Sequence, residues 1–356
     1  MALDLDMRTA EIVSDALAGR MEPADMTLRQ AIGIYTAEKA AETVNNAKAN
    51  SRFYAEKLSD YTGDGASGWT DIPFTTPDEL RECDMDFLCV SPSEISRIVT
   101  LNTSGTTGKP KRIYFTEEDQ QLTIDYFNHG MRLIIDGTDK VLILMPSSSE
   151  GSIGRLLGRG IRDMGAQAIE YGEPFKTGAA EAADILKLMR DEKVTSVVVT
   201  PTHMVALARA LNREIESGGE AIYPRSILLS AEYVPDKTVM MLEDTFQCMI
   251  FEHYGMTEMG LGCAVSCGYG RGYHVREADL FIELINPITG EVVKGESPRT
   301  PGFSNYGEIV FTTLTRKGMP FIRYRTGDFS RWILQDCPCG SQLKRLDKVV
   351  PGEDRA

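Results

Sequence analysis

The sequence predicts an α/β protein: mostly parallel sheets flanked by helices, with a small β-rich subdomain near the C-terminus. Three observations carry that expectation. Between residues 96 and 260, short β-branched or aliphatic runs alternate with helical stretches, the pattern of a largely parallel sheet. The first sixty residues have only helical periodicity. Beyond about 260 that periodicity is gone, and strand-like runs separated by turn residues replace it.

In chain order, Ile12, Ala16 and Leu17, then Leu28, Ala31, Ile32 and Tyr35, recur at helical spacing, before an alanine-rich stretch over 37–49. Residues 63–68 are a glycine-rich loop, and Pro73 and Pro77 punctuate the segment after it, with a helix start just beyond Pro77. The strands of the alternating region are expected at 141–145, 196–200, 227–229 and 249–251, with helices over 179–190 and 202–215. Strands at 280–285, 308–313 and 331–334 form the β-rich part. The resulting division is a helical part over 1–95, an α/β part over 96–260, a β-rich subdomain over 261–350 and a short tail over 351–356. In sheets of this kind ligands bind beyond the carboxyl ends of the strands.

Composition narrows the partners. The 356 residues are 42% hydrophobic and 25% charged, a globular composition. The net charge of −14 would repel a polyanion, which argues against nucleic acid and anionic membranes. No apolar run has the length of a membrane helix. The start, Met1-Ala2-Leu3-Asp4-Leu5-Asp6, is acidic and unlike a secretory signal. The seven cysteines then read as reduced thiols or metal ligands, and the expected compartment is the cytoplasm. A homo-oligomer is left open.

The most informative stretch is Thr103-Ser104-Gly105-Thr106-Thr107-Gly108-Lys109-Pro110-Lys111. Its glycines let the backbone approach a ligand, its hydroxyls and N–H groups donate to phosphate oxygens, and its lysines add charge. It is not a Walker A loop, because Thr103 stands where the first glycine would be and Pro110 follows the lysine. Pro110 disfavours helix and leads the chain into a strand over 112–115.

This loop resembles the signature of adenylate-forming enzymes, the superfamily of acyl-CoA synthetases, adenylation domains and luciferases. Two further stretches match in order. Tyr254-Gly255-Met256-Thr257-Glu258 is similar to the adenine and magnesium motif, and Tyr324-Arg325-Thr326-Gly327-Asp328 to the ribose motif. Within the superfamily the chain looks most like the phenylacetate-CoA ligase and coenzyme F390 synthetase branch. That likeness rests on Arg52-Phe53-Tyr54, Ile72-Pro73-Phe74-Thr75-Thr76, Ser230-Ala231-Glu232 and the run from Met319 to Arg325.

The resemblance implies the fold of the superfamily's large N-terminal domain and a set of roles. Thr103, Ser104, Gly105, Thr106, Thr107, Gly108 and Lys109 would cradle the β- and γ-phosphates of ATP. Ala231 and Glu232 would line the adenine, with Tyr254 stacked on it. Thr257 would touch the α-phosphate, Glu258 would bind Mg²⁺, and Asp328, on a tight loop, would accept from the ribose hydroxyls. Lys109, Thr257 and Glu258 would be the catalytic residues. A lone carboxylate is a reasonable hard-cation ligand beside phosphates. The implied reaction is adenylation of a small carboxylic acid to acyl-AMP with release of pyrophosphate, followed by transfer to CoA or to an acyl-accepting protein. Two alternatives remain: a nucleotide-binding domain inactive without a C-terminal partner, and transfer of AMP to a cofactor hydroxyl. The family continues past a Gly-Arg-x-Asp hinge into a C-terminal domain with a catalytic lysine. Here the sequence ends near Pro351-Gly352-Glu353-Asp354, which reads as a truncated hinge with Glu353 at the arginine's place.

Cys263, Cys267, His274, Cys337 and Cys339 gather five soft ligands late in the chain, and four suffice for a closed zinc site. The phenylacetate ligase-like branch has similar cysteines and a Gly-x-His segment. That resemblance assigns Cys267, His274, Cys337 and Cys339 to a structural Zn²⁺ and leaves Cys263 as the spare. His203 and His253 fall at strand ends facing the expected cleft. Arg155, Arg159 and Arg162 read as a solvated helix face, with recognition of an acidic substrate as the second reading.

Overall fold

The computed structural model describes residues 4–18, 26–63, 65, 68–101, 109–172, 178–293 and 306–352. In chain order the elements are α1 (Asp4–Leu17), α2 (Leu28–Asn50), α3 (Arg52–Lys57), α4 (Pro77–Glu82), β1 (Arg97–Leu101), β2 (Lys111–Phe115), α5 (Glu117–Met131), β3 (Lys140–Ile143), α6 (Ile153–Asp163) and β4 (Gln167–Glu170). They continue with α7 (Ala179–Asp191), β5 (Ser196–Val199), α8 (Pro201–Glu216), β6 (Ser226–Leu229), α9 (Asp236–Phe246), β7 (Met249–Tyr254), β8 (Ala264–Val265) and β9 (Tyr273–Val275). The last are β10 (Leu280–Ile285), β11 (Gly307–Thr313), β12 (Tyr324–Ser330), β13 (Trp332–Ile333), β14 (Arg345–Leu346) and β15 (Val350–Pro351). The α/β class expected from the sequence is the class observed. No helix among the described residues is long and apolar enough to cross a membrane.

The chain folds as two compact units. One takes its residues from 1–122, 257–263 and 274–356, and the other from 123–256 and 264–273. Both ends of the chain therefore contribute to the first unit.

In the first unit, helix starts follow local chemistry. Thr27 caps α2 and Thr76 caps α4, each in a capping box with Gln30 or Glu79 reaching back to the cap N–H. Pro77 sits in the first turn of α4, where its missing N–H has no cost. The four-stranded antiparallel sheet of this unit runs β10-β11-β12-β15, and β1 and β2 form a separate antiparallel pair. Arg323 enters β12 fully buried. Its guanidinium meets Glu283 Oε1 and Oε2 at 3.1 and 3.2 Å and donates to the carbonyls of Thr70 and Ile72. It also stacks on Phe74 at 4.2 Å. Thr75 exchanges backbone hydrogen bonds with Arg323 and Arg325, and the Tyr54 hydroxyl accepts from Ile322 N–H. Three of the four stretches that carried the likeness, around Tyr54, Thr75 and Arg323, thus meet around one strand.

In the second unit the strand order is β8-β7-β6-β5-β3-β4, with β7-β6-β5-β3-β4 parallel. Strands β5 and β6 are buried along their whole length, as expected for a sheet covered on both faces. Their alternation separates two environments. Val197, Val199, Ile227 and Leu229 pack with Ile185, Leu207, Leu211 and Phe246 of α7, α8 and α9. Val198 and Leu228 face the opposite side.

Candidate active site

Within the first unit, Glu258 is the centre of a buried polar network. It sits on a 3₁₀ turn, Thr257–Met259, and is 1% exposed. Its Oε1 accepts from Lys111 Nζ at 2.5 Å and from the Tyr324 hydroxyl at 3.2 Å. Arg316 holds the same turn from behind, donating to the Glu258 carbonyl at 3.0 Å and to the Tyr114 carbonyl at 2.6 Å. Its guanidinium lies 4.4 Å from the Phe115 ring centre, and burial lowers its pKa against the opposing pull of Asp119 and Glu258. A buried carboxylate so held is stable only because every charge is paired and hydrogen-bonded. Lys111 engages Oε1, so a cation bound through Oε2 would still leave that pairing intact.

Lys111 is a residue the sequence pattern left in the shadow of Lys109. Lys109 is exposed, whereas Lys111 opens β2 and shares a buried strand face with Ile113. That alternation was the available signal: the residue after Pro110 begins the strand, and i, i+2 positions share a face. Thr103, Ser104, Gly105, Thr106, Thr107 and Gly108 lie outside the described residues, as does Glu353.

Asp328 is presented differently from the tight loop expected. It belongs to β12, where four steps of β12 (Arg325 to Phe329) oppose two steps of β11 (Val310 to Glu308). The extra residues form a bulge, with Gly327 at φ 75° and its N–H on Glu308 Oε1 at 3.1 Å. A left-handed residue inside a strand is what glycine permits, so the ladder resumes after the bulge instead of ending in a loop. Tyr324, Thr326 and Asp328 are buried and share one face of the strand. Asp328 and Phe329 also pair with β15.

The second unit carries the other predicted residues at neighbouring strand ends. Ser230, Ala231 and Glu232 follow β6, and His253 and Tyr254 finish β7, its parallel neighbour. Ala231 has φ 72°, a strained conformation for a residue with a Cβ, at the position expected to meet the adenine. The exposed Glu232 accepts from the Thr202 N–H at 3.0 Å and hydroxyl at 2.6 Å, which fixes the loop to the start of α8. His203, in the first turn of α8, donates its N–H to the Thr200 cap. Tyr254 is half-buried, and Thr257, across the chain's return to the first unit, is half-buried too. Arg155 and Arg162 both pair with Glu170, at 2.9 and 2.5 Å, so a single carboxylate ties down both guanidinium groups.

The soft ligands expected to hold a metal are buried free thiols and one imidazole. In the first unit His274, Cys337 and Cys339 bring their ligand atoms within 4.8 Å of one another, with Cys339 Sγ 3.4 Å from His274 Nε2. Cys337-Pro338-Cys339-Gly340 is a turn closed by Gly340 N–H on the Cys337 carbonyl, with Gly340 at φ 83°. Burial pushes the His274 imidazole down to about 4, which keeps it neutral, the form that binds metal. These separations and donor types fit a tetrahedral zinc ion. Cys267 is buried, seven positions ahead of His274 in the other unit. Cys263, buried and pushed up to about 12, stays a thiol.

The sequence profile of AMP-binding enzymes matches residues 89–296, more than half of the chain. The chain belongs to the AMP-binding enzyme family. Among its curated relatives, the phenylacetate-coenzyme A ligase of Pseudomonas putida is 28% identical over 294 residues, covering 80% of this chain and 61% of the relative. The ligase of the same name from Aromatoleum evansii is 27% identical, covering 94% of this chain and 74% of its own length. This AMP-binding family member thus spans about three fifths of the first relative's length. A solved 2-hydroxyisobutyryl-CoA ligase, in complex with 2-HIB-AMP and CoA, superposes with a TM-score of 0.77 at 19% identity, covering 94% of this chain and 72% of that one. That likeness establishes the fold shared by this AMP-binding family member. The residues of the match include both Lys111 and Glu258, and β5, β6 and β7 with the residues that follow them.

Proposed function

We propose that the protein activates a carboxylic acid with ATP, forming acyl-AMP and pyrophosphate, and passes the acyl group to the thiol of CoA. The observation that carries this reading is the buried Lys111–Glu258–Tyr324 network in a chain of the AMP-binding enzyme family. The relatives named phenylacetate-coenzyme A ligase, and the 2-hydroxyisobutyryl-CoA ligase captured with an acyl-AMP and CoA, support it.

In the adenylation step a carboxylate oxygen attacks the α-phosphorus and pyrophosphate leaves. Little covalent chemistry falls to the protein, whose part is positioning and charge stabilisation. Glu258 would hold Mg²⁺, which offsets phosphate charge when bound. Lys109, with Thr103, Ser104, Thr106 and Thr107, would face the phosphate oxygens, while Lys111 would keep its pairing with Glu258 Oε1. Thr257 would donate to the α-phosphate. Asp328, presented by its bulge on one side of β12, would accept from two vicinal ribose hydroxyls. Ala231, Glu232 and Tyr254 would frame the adenine.

We further assign a structural zinc to Cys267, His274, Cys337 and Cys339. Four protein ligands leave no open coordination position, so the ion would tie chain segments together and take no part in the reaction.

ATP–pyrophosphate exchange tests the main reading, run with Mg²⁺ and a panel of aryl and short aliphatic acids. Exchange that depends on the acid is the expected result. Calorimetric ATP binding with no exchange from any acid would overturn it.

A further inference from the structure

A small cavity lies inside the second unit, on the sheet face opposite α7, α8 and α9, at the carboxyl ends of β5, β6 and β7. Phe127, Leu157, Val198, Leu228 and Val265 give it apolar walls, and its volume is about 30 Å³. Polar side chains reach its lining as Tyr126, Ser230 and His253. Ser230 Oγ and His253 Nδ1 are 2.9 Å apart. Nε2, the other ring nitrogen, is shielded from solvent and has no hydrogen-bond partner among the described residues. The Tyr126 ring stands 6.0 Å from the imidazole.

A shielded nitrogen without a partner is a standing deficit, and buried polar groups in native proteins are nearly always satisfied. Protonation does not relieve it, because burial pushes His253 down to about 4 and the ring stays neutral. A neutral imidazole has one donor and one acceptor nitrogen. Since the Ser230 hydroxyl can play either part, Nε2 presents either a proton or a lone pair to the cavity. A ligand hydroxyl, both donor and acceptor, matches either tautomer. A charged group would lose its hydration against these walls with no counter-charge to meet it.

Size narrows the class further. An engineered apolar cavity that holds benzene has about 150 Å³. At about 30 Å³ this one takes a short aliphatic branch but no aromatic ring unless its walls move. Ser230 adjoins Ala231 and His253 adjoins Tyr254, so the cavity opens from the same two strand ends that carry the proposed adenine-binding residues. Ligands of parallel α/β sheets collect there.

We propose that this cavity receives the acyl side of the substrate and selects a short aliphatic hydroxy acid, whose hydroxyl hydrogen-bonds to His253 Nε2. The inference rests on the adenylation reading for its assay but on the cavity alone for its chemistry. The test compares butyrate and isobutyrate with their 2- and 3-hydroxy derivatives, and with phenylacetate, in ATP–pyrophosphate exchange. A hydroxy acid should exceed its parent at least ten-fold in kcat/KM, and that ratio should fall toward one in His253→Leu. If His253→Leu does not fold, Ser230→Ala, which frees the ring from its orienting partner, should lower the same ratio several-fold. Parent acids equal to their hydroxy derivatives, or phenylacetate as the best substrate, would overturn the proposal while leaving adenylation standing. Should no acid support exchange, binding of the same acids is measured by ligand-observed NMR. Preferential binding of a hydroxy acid, lost in the variant, upholds the cavity assignment without the reaction, and equal binding of parent and derivative refutes it.

Discussion

Replacing Lys111 by Met isolates what the buried ion pair contributes. Glu258 is 1% exposed and its Oε1 would keep only the Tyr324 hydroxyl, at 3.2 Å, once the 2.5 Å contact to Lys111 is gone. Removing one partner of a buried pair typically destabilises by about 3–5 kcal/mol, because an uncompensated charge is left behind. The surviving tyrosine bond places the expected loss at the lower end, about 3 kcal/mol. Lys111→Met combined with Glu258→Gln removes the charge as well as the partner, so the double variant should recover about 2 kcal/mol of that loss. Equilibrium urea unfolding of the wild type, both single variants and the double variant, followed by intrinsic fluorescence, measures this directly. The reasoning fails if Lys111→Met lies within about 0.5 kcal/mol of wild type, or if the two single effects simply add.

The remaining expectations are briefer. Metal analysis of extensively washed protein should find about one zinc per chain, and Cys339→Ser should lose it together with several degrees of thermal stability; metal-free wild-type protein of undiminished stability would remove the zinc assignment. The pKa of His253 is lowered from 6.5 to about 4, so the unfolded chain binds the proton first as the pH falls. Stability linked to this residue is therefore complete above pH 6.5 and declines as the pH drops toward 4, by at most about 1.4 kcal/mol per unit. His253→Phe should flatten that part of the stability–pH curve, and parallel curves for the two proteins would contradict it. Ala231→Gly should stabilise the fold by about 1 kcal/mol, since it relieves a φ of 72°; a lower urea midpoint in that variant would show that the strain is absent.

Much of the architecture was legible in the linear pattern. Short β-branched runs such as Ser196–Val199 and Ser226–Leu229, spaced by amphipathic stretches, can bury both faces only in a parallel sheet with helices on it. Caps and prolines marked helix starts, as at Thr76-Pro77, because their chemistry is local. The ordered motifs around Lys109, Glu258 and Asp328 pointed to the family for the same reason: each is a contiguous piece of backbone and side-chain chemistry.

Long-range pairing was not legible. That Lys111 reaches Glu258, 147 positions away, depends on how separated segments pack, and no local pattern encodes the partner of a buried charge. The joining of residues 1–122 and 274–356 in one unit is of the same kind. So is the bulge that displays Asp328, because a bulge exists only relative to the strand it pairs with. The sequence determined by itself strands and helices such as Ser196–Val199 and Pro201–Glu216, and which residues have phosphate, carboxylate or thiolate chemistry, since those depend on near neighbours. Tertiary structure alone decided which charges neutralise each other, how His253 Nε2 comes to lack a partner among the described residues, and how large a cavity it faces, since these are set by packing between residues far apart in the chain.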